Sequence, residues 1–258
     1  MLPSLYISHG SPALCIMENS TTSFLKNLSS NFDEPKFILV VSAHWFTKDL
    51  KILYEESPHT IHDFYNFPKE LYQLKYEAKS DLNKCDEIIN LIENSGIEIE
   101  KDTSRGGFDH GVWSPLSLIY PKADIPIIQL SLPLNFDCKK LFELGIILNK
   151  LREDTLIIGS GAMTHNLMDL NWENEHAKPI SYAKEFRDWV VDNIQKGSVS
   201  SLLNYEKEAP NLQKNHPSKE HFLPLFVTFG ASNNHIGESL HDIYMYGNQS
   251  MDTIIFKK

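Results

Sequence analysis

Four short apolar runs constrain this chain more than any other feature. They are LPSLYIS (residues 2–8), KFILVVSA (36–43), IPIIQLSL (125–132) and DTLIIGSG (154–161). Each is rich in Ile, Leu or Val, and none alternates cleanly between polar and apolar. A strand with one wet face alternates with period two, whereas a strand covered on both faces does not. The runs therefore predict strands of a parallel or mixed sheet buried on both sides. Helical patterns lie between and after them. SDLNKCDEIINLIENSG (80–96) has an acidic start and a Gly stop. FDCKKLFELGIILNKLRE (136–153) offers Asp137 as a cap, and SYAKEFRDWVVDNIQKG (181–197) places Phe186, Trp189, Val190 and Ile194 on one face. KEHFLPLFVTFG (219–230) reads as a fourth helix, against the resistance of Pro224. The tail, SLHDIYMYG followed by MDTIIFKK, predicts two strands around a turn. Strands alternating with helices predict an α/β fold, a three-layer α/β/α sandwich around a mostly parallel or mixed sheet. No internal repeat or Gly/Ser/Pro-rich linker divides the chain, which predicts one domain over residues 1–258.

Three of the predicted strands run into histidine. SHGSP carries His9, SAHW carries His44, and GSGAM leads through THN to His165. In open α/β sheets, ligands bind beyond the carboxyl ends of the strands. If these strands are parallel, the three imidazoles share one rim. A single histidine after a strand is usually a loop residue or a cap. Three in the same structural role, each beside small residues, point to a shared site. Imidazole is the commonest side-chain metal ligand, and a catalytic site keeps about three protein ligands with a position left open. His110 in RGGFDHGVWSP, a Gly-rich loop before an apolar segment, can complete the constellation. So can His221 in the first turn of the fourth helix, whereas His216, before Pro217, reads as a loop residue. His59 and His62, in the aromatic segment SPHTIHDFYNFP, read equally well as a pocket wall or a packed surface loop. His176, His235 and His241 read as solvent-facing or structural.

Other functional classes fit poorly. There is no GxGxxG after the first strand, no Walker A loop, no HExxH and no GxSxG elbow. The net charge of −10 argues against binding a phosphate backbone and gives no long-range attraction for anionic substrates. Cys15, Cys85 and Cys138 are odd in number and form no CxxC pair, which predicts reduced thiols in a cytoplasmic protein. The N-terminus has no basic region followed by a long apolar run, and no stretch approaches ~18 consecutive apolar residues. Neither a signal peptide nor a membrane span is expected.

The ordered set SHGSP, VVSAHWF, TIHDFYNFP, GFDHGVWSPL, IPIIQLSL, THNL and EHFLPL resembles the DODA-type class III extradiol ring-cleaving dioxygenases, within the superfamily of protocatechuate 4,5-dioxygenase catalytic subunits. The resemblance extends over nearly the whole chain. It implies a mononuclear site for one divalent ion, Zn2+ or Fe2+, acting on a catechol-type, DOPA-like substrate with O2. By the same resemblance His9, His44 and His221 match metal ligands. His165 matches a histidine at the metal, acting as acid/base or as a further ligand. His110 matches a histidine near the substrate and oxygen positions. One departure stands out: much of the superfamily uses two histidines and a glutamate, and here Glu220 adjoins His221. Three neutral imidazoles suit zinc as well as iron, so the resemblance also leaves room for a zinc-dependent hydrolase or a metal-binding interaction module.

Overall fold

The computed structural model describes residues 1–257; Lys258, the last residue of the predicted tail strand, lies outside them. Eight strands form the central sheet: β1 (Ser4–Ser8), β2 (Phe37–Thr47), β3 (Lys51–Leu53), β4 (Glu100–Asp102), β5 (Ile127–Pro133), β6 (Thr155–Gly161), β7 (Glu238–His241) and β8 (Thr253–Phe256). Their order across the sheet is β4-β3-β5-β2-β6-β1-β8-β7. The four apolar runs are the four central strands. β5, β2, β6 and β1 are mutually parallel, with Ser8 beside Gly161 and Ser42 beside Ser160 in register. The tail strands β7 and β8 pair antiparallel, and β8 runs antiparallel to β1.

Alternate residues of the central strands serve opposite layers. Leu39 and Val41 face one core, where α2 (Leu82–Glu93), α4 (Cys138–Leu148), α5 (Ser181–Gln195) and α6 (Pro224–Gly230) pack. Ile38 and Val40 face the other, against α1 (Ser20–Asn27) and α3 (His110–Ile119). This is the expected three-layer sandwich, with each central strand dry on both faces. Asp81 and Asp137 cap α2 and α4 by accepting from the Lys84 and Lys140 amides.

Two local expectations are corrected. The fourth helix starts at Pro224 rather than residue 219, with Pro224 in the first turn, where its missing N–H costs nothing. His221 therefore lies in the turn before the helix, not within it. The segment after RGGFD is a helix, α3, that begins at His110 itself and contains Pro115. Pro115 cannot donate to the carbonyl four residues back. That carbonyl, on Gly111, instead accepts the Ser160 hydroxyl of β6, which ties α3 to the sheet.

Candidate active site

Because β1, β2 and β6 are parallel, their carboxyl ends lie on one edge of the sheet, and their histidines come with them. His9 follows β1 directly. Gly10, at φ +68°, then turns the chain aside, where a Cβ would meet the Met251 methyl at 2.8 Å. His44 sits where β2 leaves its ladder: Val41 pairs with Leu130 but Phe46 with Leu132, so residues 42–45 bulge. His165 follows β6, with its amide donating to the Asn215 carbonyl at 2.9 Å. His221 is pinned through its carbonyl, which accepts from the Ala162 amide (2.8 Å) and the Tyr6 hydroxyl (2.9 Å). This approach needs Gly161, since a Cβ there would fall 2.1 Å from the same oxygen.

Five imidazoles converge as a result. The Nε2 of His44 lies 3.1 Å from that of His9 and 3.2 Å from that of His221. The ring centroids of His44 and His110 are 3.9 Å apart, and His165 stacks on His221 at 3.5 Å. Donor atoms of His9, His44 and His110 all lie within 4.8 Å of one another, as do those of His165, Glu220 and His221. The two groups adjoin at the His44–His221 contact.

The hydrogen-bond partners fix the tautomers. The Ser160 hydroxyl donates to Gly111, so at 2.9 Å it must accept from His9 Nδ1–H. Asp63 Oδ2 lies 3.4 Å from His44 Nδ1, and Glu220 Oε1 lies 3.3 Å from His221 Nδ1. A carboxylate so placed favours N–H on each, through a hydrogen bond at His221 and through electrostatic proximity at His44. With these assignments the Nε2 lone pair of His44 faces that of His9 at 3.1 Å and that of His221 at 3.2 Å, a repulsive arrangement unless a cation sits among them. Burial, reinforced by the neighbouring imidazoles, pushes His9 and His221 well below the ordinary imidazole range and His44 to about 4. The lone pairs are thus free at neutral pH, and the donor set fits a divalent ion of the imidazole-binding kind.

The histidines expected at the site, His9, His44, His110, His165 and His221, are all brought together. His216 is not among them; it is buried, with Nε2–H donating to the Met163 carbonyl at 2.9 Å. His62 bonds the Leu74 carbonyl and packs against Phe64, Tyr72 and Trp113 in an aromatic wall, while His59 and His176 are exposed. His235 bonds the Phe229 carbonyl, and His241 stacks on Phe24. A cleft of about 410 Å³, lined by Phe46, Asn135, Lys219, Glu220 and Leu223 among others, abuts the cluster through Glu220.

Two carboxylates behind the rings, Asp63 and Asp109, escaped the sequence reading. Asp63 accepts from the His110 amide and from His110 Nδ1, both at 3.0 Å. Burial would raise its pKa, but the His110 contacts outweigh this and hold it down at about 2. Asp109 is fully buried and accepts from Ser42 (2.6 Å), Gln129 (2.6 Å) and Arg105 (2.8 Å), while Ser42 in turn accepts from the His44 amide. The one signal for Asp109 was its place beside His110; for Asp63, its place among the aromatics of TIHDFYNFP.

Comparison with known proteins now gives this geometry a class. Residues 3–253 match the family described as the catalytic LigB subunit of aromatic ring-opening dioxygenase. The chain belongs to this family, whose members are metal-dependent, and it is an oxidoreductase of the extradiol dioxygenase type. It is 35% identical to the 4,5-DOPA dioxygenase extradiol of Beta vulgaris, over 98% of this chain and 96% of that protein. To the 4,5-DOPA dioxygenase extradiol of Escherichia coli (strain K12) it is 35% identical, over 89% and 85% respectively. The crystal structure of an uncharacterized protein from Escherichia coli K12 has the same fold, with a TM-score of 0.82, 28% identity and full coverage of both chains. No helix among the described residues is long and apolar enough to cross a membrane.

Proposed function

We propose that the chain, as one catalytic domain, opens a catechol-type ring outside the diol with O2 at one divalent ion held by His9, His44 and His221. The observation that carries this reading is the convergence of three bare Nε2 atoms at 3.1 and 3.2 Å, each ring oriented by a partner on its far side. When bound, such an ion supplies acidification of the catechol hydroxyls and a common template for ring and oxygen. Fe2+ suits this chemistry and Zn2+ does not, because zinc has no redox change to offer. The carboxylates of Asp63 and Glu220, behind His44 and His221, offset the charge that three neutral imidazoles leave uncompensated.

The protein's own groups do the rest. His165 is held neutral by burial, so it can take a hydroxyl proton from the substrate and return it later. His110, with Nδ1–H on Asp63, presents Nε2 as an acceptor for a substrate hydroxyl. Phe64 and Trp113 form an apolar wall beside His110 and exclude water from the ring. The relatives named for 4,5-DOPA make a DOPA-like catechol the first substrate to try. Its zwitterionic side chain suits a protein of net charge −10 better than a dicarboxylate would. Three free thiols, with Cys85 and Cys138 pushed up to about 11 chiefly by burial, support a reducing compartment such as the cytoplasm.

The test is anaerobic reconstitution with Fe2+, followed by oxygen uptake across a panel of DOPA, catechol and protocatechuate. One O2 consumed per ring opened is expected. Hydrolytic turnover with Zn2+ and no oxygen uptake would replace this reading with a hydrolase. Metal binding without turnover under either condition would leave an interaction module.

A further inference from the structure

Asp63 lies 47 residues from His110 in sequence, yet its carboxylate grips that one residue twice. Oδ1 accepts the backbone N–H and Oδ2 accepts ring Nδ1, both at 3.0 Å. The first contact has a clear structural cause. His110 opens α3, so its amide has no helical partner. The residue before it, Asp109, makes no side-chain cap, because its carboxylate is engaged by Ser42, Gln129 and Arg105. Asp63 supplies the missing acceptor from a separate segment. Its side chain is only 22% exposed, and the Phe64 ring beside it meets the His110 ring edge-on.

The second contact has a chemical consequence. We propose that Asp63 is the positioning residue for His110, fixing its ring as the Nδ1–H tautomer so that a bare Nε2 faces the other imidazoles and the substrate space. A carboxylate offers only lone pairs, so an Nδ1 lone pair opposite it would be repelled. The fork to backbone and ring also fixes the ring's rotation, since both anchors belong to one residue. His110 is thereby set to accept a hydrogen bond or proton at Nε2 and barred from donating one there while neutral. The kinetic consequence rests on the proposed ring-cleavage function; the tautomer does not.

Asp63→Asn makes the decisive variant. The His110 amide still requires an oxygen opposite it, so the new NH2 group is turned toward Nδ1. That group donates, and the ring must invert to Nε2–H. Long-range 1H–15N spectra of the metal-free wild type, assigned with a His110→Gln variant, should show His110 protonated at Nδ1; in Asp63→Asn the proton should move to Nε2. At saturating Fe2+, kcat should fall roughly 10²- to 10⁴-fold, the scale on which a misoriented general acid–base group acts, with KM little changed and, because Asp63 Oδ2 also lies 3.4 Å from His44 Nδ1, with bound iron per chain equal to the wild type's. Wild-type His110 protonated at Nε2 would overturn the proposal even if the variant failed to fold. So would an unaltered tautomer in Asp63→Asn, or wild-type kcat alongside an inverted tautomer. Absence of oxygen uptake by the wild type with every catechol would instead defeat the proposed function and leave the spectroscopic result to decide Asp63.

Discussion

His165 lies flat on His221, with ring centroids 3.5 Å apart and planes within 10° of parallel. An imidazole binds a metal through a lone pair in its own ring plane, at about 2.0–2.1 Å for zinc. Stacked rings carry their lone pairs in separate, nearly parallel planes, so His165 and His221 do not aim at one common point. The stack therefore favours His165 as the proton-transfer group rather than a fourth ligand. His44→Ala should lose most bound metal, because it removes one of the three proposed ligands. His165→Ala should keep its metal and lose roughly 10²- to 10⁴-fold in kcat. Metal analysis of the two purified variants checks this; equal metal loss in both would make His165 a ligand.

Glu220 and His221 are neighbours with different places. The Glu220 carboxylate faces His221 Nδ1, on the side of the ring away from His44. This arrangement suits a carboxylate that orients the proposed ligand His221, and loss of such a group typically weakens metal binding about 10- to 100-fold. His221→Ala should abolish binding, while Glu220→Gln should weaken it within that range. Equilibrium titration with Fe2+ or Zn2+ measures both. Collapse of binding in Glu220→Gln with His221→Ala intact would mean a two-histidine, one-carboxylate site.

The central strands were legible because burial on both faces leaves an unmistakable apolar run, and three site histidines were legible because those runs end in them. α3 was not, because Gly111 and Pro115 both read as helix breakers. What permits the helix is Ser160, on a distant strand, which fills the carbonyl that Pro115 abandons. Asp63 was equally hidden, since nothing local links it to His110. His221 was a candidate from its place at the fourth helix and was singled out as a ligand only by the resemblance, and the turn that holds it depends on contacts with β1 and β6. Residues placed by their own strand can be read from sequence; residues placed by a partner far along the chain cannot.

Gly161 tests that dependence. Its backbone lies against the carbonyl of His221, where an added Cβ would fall 2.1 Å from the oxygen. The oxygen belongs to a backbone held by two hydrogen bonds, so it cannot yield as a side-chain tip would. Gly161→Ala should destabilise the fold by about 1–3 kcal/mol, the usual cost of overpacking, and should also reduce metal content by displacing His221. Urea unfolding and metal analysis report the two effects. Wild-type values for both would show that the close approach is not what seats the ligand.

His216 gives the metal-free protein a stability that depends on pH in a defined direction. Burial, partly opposed by its bond to the Met163 carbonyl, lowers its pKa to about 4, against about 6.5 in an unfolded chain. Between those values the unfolded state binds a proton that the folded state refuses, so stability falls as pH falls. The loss begins near pH 6.5 and levels off below about pH 4, where the folded ring also protonates. A shift of this size corresponds to roughly 3 kcal/mol. Asp63, held down at about 2, acts in a lower window, losing its contribution only below the carboxylate range. His216→Gln keeps a donor for Met163 but cannot titrate. In metal-free protein, the drop in unfolding free energy from pH 7 to pH 4.5 should be about 2–3 kcal/mol smaller in this variant than in the wild type. Urea denaturation at the two pH values measures it, and identical drops would mean that His216 does not carry the effect.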